Sequence, residues 1–73
     1  MEIEVVYEET EEVLTVRDED TDEGYQRCLS AIAHWMFQRD TEGCFELFRV
    51  SEGDSAPTMG LVADIIDAYW ELD

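Results

Sequence analysis

The spacing of apolar residues changes period along this chain, and that restricts the folds open to it. Residues 2–8 alternate, with Ile3, Val5 and Tyr7 on one side and Glu2, Glu4 and Glu8 on the other; Val6 is the exception. A period of two is that of a half-buried strand. Residues 12–17, Glu12-Val13-Leu14-Thr15-Val16-Arg17, are rich in β-branched side chains and predict a second strand. Glu9-Thr10-Glu11 between them suits a short hairpin loop, although it lacks Asn-Gly or Asp-Gly. Glu8, Glu9, Glu11 and Glu12 repel one another around that turn, which predicts a wide, open tip.

From Tyr25 the period becomes helical. Tyr25, Cys28, Leu29, Ile32, Trp35 and Met36 form one amphipathic stripe, widened by Ala31, Ala33 and Phe37. The helix should begin near Asp20 to Asp22 and end near Arg39, before Gly43. Asp20 and Glu23 have capping-box spacing, and acids near the first turn suit the positive end of the helix dipole. Residues 44–50 predict a third strand with large apolar groups on both faces. Ser51 to Pro57 reads as a loop, with Gly53 and Asp54 as turn formers. A second helix should run from Ala56 or Thr58 to Leu72, capped by Ser55, with Pro57 in its first turn. Its buried side is Leu61, Val62, Ile65, Ile66, Tyr69 and Leu72. The order β-β-α-β-α predicts one α+β domain over residues 1–73, a small, mainly antiparallel three-stranded sheet packed with two helices.

Charge sets the functional expectations. Twenty acids against four arginines give a net charge of −16 in 73 residues, with no lysine. An apolar fraction of 45% is too high for a disordered acidic tail. At a radius of gyration of roughly 11 Å and a Debye length of about 8 Å, many of these charges feel one another. Such a surface repels nucleic acid and anionic lipid and attracts basic protein surfaces, so neither direct nucleic-acid binding nor membrane binding is expected. The most basic surfaces in cells are commonly those that hold phosphate backbones. The opening Met1-Glu2-Ile3-Glu4 carries neither a basic n-region nor an apolar h-region. A cytoplasmic protein with Cys28 and Cys44 reduced is expected; a disulfide between them is an alternative that the fold does not need.

Chemical motifs are weak. Asp18, Asp20 and Asp22 match the first three ligand positions of an EF-hand loop, but Gly24 comes one place late and Leu29 stands where the bidentate acid belongs. His34, the only histidine, lacks a third orienting group for thiolate chemistry with either cysteine, and no zinc spacing is present. Neither enzyme activity, a metal nor a cofactor is expected. The acids themselves fall in three groups: Glu8, Glu9, Glu11 and Glu12 at the hairpin tip; Asp18, Glu19, Asp20, Asp22 and Glu23 before the first helix; and Asp64, Asp67 and Glu71 on one stripe of the second. Residues three and four apart on a helix lie about 4.5 and 6 Å apart along its axis, and alternate strand residues about 6.6 Å apart. These are phosphate-like spacings, although any acidic helix or strand offers similar ones. A solvated acidic face is the bland alternative. Tyr7 and Trp70 are candidate apolar anchors beside the acids; edge packing on the sheet is the alternative for Trp70.

In size, charge and α+β pattern the chain resembles the small acidic inhibitors encoded by phages, DNA mimics and anti-CRISPR proteins among them. The resemblance implies an inhibitor that occupies the nucleic-acid channel of a basic host protein, a Cas effector in the anti-CRISPR case, whose Arg- and Lys-rich surfaces hold guide and target strands. Two other readings compete. One is a haloarchaeal interaction domain, since acid excess without lysine suits molar salt. The other is an ordinary interaction or toxin-neutralising module whose basic partner binds no nucleic acid.

Overall fold

The computed structural model describes residues 1–53 and 59–72. Three antiparallel strands form one sheet and two helices accompany it, in the order β-β-α-β-α, an α+β fold. Strand β1 (Glu2–Tyr7) lies at the centre, between β2 (Glu12–Arg17) and β3 (Phe48–Glu52). Helix α1 covers Asp22–Arg39 and helix α2 covers Met59–Trp70. The alternation of β1 does what its period demands: Ile3, Val5 and Tyr7 are buried. Leu14 and Val16 of β2 and Val50 of β3 pack against the same core from either side. From the helices, Cys28, Leu29, Ile32, Ala33 and Met36 meet Leu61, Ile65 and Tyr69. Val62, Ile66 and Leu72 are half-buried.

Three local expectations are corrected. The cap of α1 is Thr21, not Asp20: its Oγ1 accepts from the Gly24 backbone N–H at 3.1 Å. That places Gly24 where a capping box needs a Glu side chain. Gly24 is nevertheless demanded, because a Cβ there would stand 2.1 Å from the Glu19 carbonyl oxygen. The hairpin loop runs from Glu8 to Glu11, since β1 stops at Tyr7. Its tip is closed, not open: the Tyr7 carbonyl accepts from Thr10 N–H (3.3 Å) and Glu11 N–H (2.8 Å), with Glu11 left-handed at φ 61°. Backbone hydrogen bonds outweigh repulsion among carboxylates that water screens.

Residues 44–47 are not strand. Phe45–Leu47 make a turn of 3-10 helix, and β3 begins only at Phe48, so the two-faced apolar strand does not exist there. Phe45 instead turns its ring onto Tyr69 and Trp70 of α2, at centroid distances of 4.9 and 5.9 Å. Gly43, at φ +76°, makes the bend that allows it. The expected start of α2, with Ser55 and Pro57, lies outside the described residues.

Candidate acidic interface

Strand register settles where the first two acid groups stand. Tyr7 pairs with Glu12 at one end of the β1–β2 hairpin, and Glu2 pairs with Arg17 at the other. Five residue steps separate these ends, about 17 Å. Glu8, Glu9, Glu11 and Glu12 therefore occupy the turn end, while Asp18, Glu19, Asp20, Asp22 and Glu23 occupy the opposite one. Asp64, Asp67 and Glu71 lie elsewhere, beside Gln26 in a groove between the two helices. The three groups do not merge into one line of charge.

A different set of acids joins the hairpin tip. Helix α1 starts at the far end of the sheet and has 18 residues. At 1.5 Å per residue it rises about 27 Å, enough to bring its C-terminus back to the tip. There Arg39 donates to Glu12 at 2.9 Å and its guanidinium lies 4.1 Å from the centre of the Trp35 ring. The Glu8 N–H donates to the Leu47 carbonyl at 2.9 Å. The loop after α1 thus delivers Asp40, Glu42 and Glu46 to the Glu8–Glu12 cluster. Their proximity registers on neighbouring groups. The Cys44 thiol is pushed up by burial first, then by Asp40, Glu46, Glu42 and Glu9. The Tyr7 hydroxyl is held up by its bond to Glu9 and further by Asp40 and Glu12. This acidic crown was only half legible in the sequence. Asp40 and Glu42 follow a helix stop, and Glu46 sits in what reads as strand; only the length and return of α1 put them together.

Trp70 stands beside the crown. It is 54% exposed and sets its edge against Phe45 and Tyr69. Its ring covers Gly43, where a Cβ would be 2.7 Å from the indole. Edge packing on the sheet is therefore not its role. Tyr7, by contrast, is buried, stacks on Phe48 at 4.9 Å and donates its hydroxyl to Glu9 at 2.7 Å, so it offers no anchor.

Several of the expected interface acids have partners inside the molecule. Asp18 takes a two-pronged contact from Arg27 (2.7 and 2.8 Å) and the Glu19 N–H (2.7 Å), which hold its carboxyl well below the usual carboxylate range. Glu12 is lowered by Thr10 and then Arg39. Asp64 accepts from the Tyr25 hydroxyl at 2.6 Å and ties α2 to α1. The carboxylates of Glu8, Glu11, Glu19, Asp20, Asp22, Glu23, Asp67 and Glu71, with Glu42 and Glu46, have no partner among the described residues and are exposed. Arg17 pairs with Glu2, so Arg49 alone of the arginines lacks an ion-pair partner among the described residues.

Among the described residues no three His, Cys, Asp or Glu side chains are grouped to hold a metal ion. In the EF-hand-like run, the first ligand position, Asp18, is committed to Arg27. His34 is exposed, with Nδ1 2.8 Å from the Ser30 carbonyl oxygen. Cys28 is buried, Cys44 is half-buried, and both are free thiols. No helix among the described residues is long and apolar enough to cross a membrane. Comparison with family models, with characterised proteins and with solved structures finds no match for this chain.

Proposed function

We propose that this protein is a non-enzymatic inhibitor that presents an acidic surface in place of nucleic acid and blocks the binding site of a basic host protein. The observation that carries the reading is the crown. Glu9 and Glu12 of the hairpin converge with Asp40, Glu42 and Glu46 at one end of the fold, near the exposed indole of Trp70, while Glu8 and Glu11 of the same turn line a neighbouring hollow with Glu4 and Arg49. Carboxylates steer and select a cationic partner. An exposed indole offers a face on which Arg or Lys can stack. The narrower form, taken from the resemblance to anti-CRISPR proteins, has a Cas effector as the partner and the cytoplasm as the place of action.

Competition tests it. A duplex oligonucleotide should displace this protein from a partner captured out of host lysate. Reversing Glu9, Glu42 and Glu46 to Lys should slow association and weaken binding more than reversing Asp20, Asp22 and Glu23. Equal loss from both triple reversals would show that bulk charge, not the crown, selects the partner. A partner that holds both DNA and this protein at once would end the mimicry reading.

A second reading is favoured by one observation: exposed acids also stand at the far end of the sheet and on α2. That spread suits solvation in concentrated salt. Circular dichroism at low ionic strength separates the two, since a salt-adapted domain unfolds there and an inhibitor of cytoplasmic proteins stays folded.

A further inference from the structure

Strand β3 is an edge, and its hydrogen-bonding pattern shows which groups it leaves open. The Glu8 N–H bonds the Leu47 carbonyl, and the Gly53 N–H bonds the Glu2 carbonyl. Alternation along an antiparallel ladder then turns residues 47, 49, 51 and 53 toward β1, and residues 48, 50 and 52 away from it. The Phe48 N–H is taken by the Phe45 carbonyl. The N–H and carbonyl of Val50 face outward with no partner among the described residues.

Beside this edge runs an apolar groove of about 350 Å3. Phe45, Phe48 and Val50 line it from one side and Val62, Ile65 and Ile66 of α2 from the other, with Met36 and the Arg49 side chain completing the lining. An added strand on β3 would drop alternate side chains into it, because inward-facing residues of neighbouring strands share one side of a sheet. At its Phe45 end the groove meets Trp70 and the crown.

We infer that β3 and this groove receive an extended segment of the partner as a fourth strand, with alternate apolar side chains in the groove and a basic cluster at the crown end. Charge chooses the occupant. A second copy of this chain brings another −16 and is repelled, whereas a cationic segment is drawn in by Glu42 and Glu46. The inference rests on the proposed basic partner and adds how that partner is held: carboxylates guide it, and backbone hydrogen bonds with apolar burial retain it.

The test uses three short synthetic peptides of equal charge with the full chain. One alternates valine with polar residues and ends in lysines. The second is the same peptide N-methylated at alternate residues, on the edge that would face β3. The third replaces its valines with serine. The first should bind at least about tenfold tighter than the others, since each lost hydrogen bond or buried side chain removes that order of affinity. Its binding should also slow amide exchange at Val50. Val50→Pro removes the outward N–H and exchanges one apolar groove-wall side chain for another; Val50→Ala is the control that trims the wall and keeps the N–H. The proline variant should keep the fold and lose the preference for the first peptide over its N-methylated form, and the alanine variant should retain that preference. If the proline variant does not fold, the N-methylated peptide decides alone. Equal binding of all three, with Val50 exchange unchanged, overturns strand addition and leaves the acidic-crown reading intact. No binding of any peptide, together with partner capture indifferent to crown reversal, overturns both.

Discussion

The hydroxyl of Tyr69 reaches from the last turn of α2 to the backbone of Asp40, donating to its carbonyl at 2.5 Å and accepting from the Gly43 N–H at 3.2 Å. Asp40 in turn accepts from Cys44 N–H (2.6 Å) and Glu42 N–H (3.3 Å) through its carboxylate. One buried phenol and one carboxylate thus shape the loop that carries half of the crown. Tyr69 is 2% exposed, so Tyr69→Phe leaves two backbone groups unsatisfied and should cost about 1–3 kcal/mol. Urea titration should show a lower midpoint at unchanged slope. A midpoint like that of the wild type would mean that the loop holds itself without α2.

Gly24→Ala should destabilise, against helix propensity. Propensity alone favours alanine in a helix by roughly 1 kcal/mol. The new methyl, however, would lie 2.1 Å from the Glu19 carbonyl, which is backbone and has to move. Displacing the Asp18–Thr21 segment also loosens the Thr21 cap and the Asp18–Arg27 pair. A net loss of about 1–3 kcal/mol is expected from overpacking of this kind. A stabilised variant in thermal melts would show that the segment yields freely.

Glu11→Gly should do the opposite. Glu11 holds φ at 61°, a conformation that costs a side-chain-bearing residue roughly 1–2 kcal/mol. Glycine adopts it freely but loses more entropy on folding, so the net gain is up to about 1 kcal/mol. Glu11→Gln keeps the strain and removes the charge. A rise in melting temperature for the glycine variant alone identifies the backbone as the cause; an equal rise for both identifies charge repulsion at the hairpin turn.

What the sequence showed follows from how much each position is decided locally. The alternation of Ile3, Val5 and Tyr7 and the stripe of Cys28, Leu29, Ile32 and Met36 were legible because burial alone dictates them. Thr21 could not be chosen over Asp20 by pattern, since both side chains can cap; the fit of Gly24 beneath Glu19 decides it. Phe45 and Leu47 look like strand residues, yet the rings of Tyr69 and Trp70 hold Phe45 in a tighter turn. Asp40, Glu42 and Glu46 were missed as interface acids for a related reason: their place depends on where an entire helix ends. Half of the candidate site was therefore visible as charge, and the other half required tertiary geometry.

Alkali should unfold the protein through its tyrosines. Tyr25 donates to Asp64, and burial first, then that bond, push its hydroxyl up from 10.0 to about 12. Tyr69 is also raised, chiefly by burial, and Tyr7 chiefly by its bond to Glu9. A raised pKa means that above pH 10 the folded state holds protons that the unfolded chain releases, so stability falls as pH climbs. The contribution is complete below pH 10 and is lost as pH rises through about 12. Tyr25→Phe forgoes the bond to Asp64 and escapes this titration. Its melting temperature should lie below that of the wild type at neutral pH, and the two curves should converge as pH approaches 12. Curves that stay parallel across that range would mean that the Tyr25 proton is held no more tightly in the fold than in the unfolded chain.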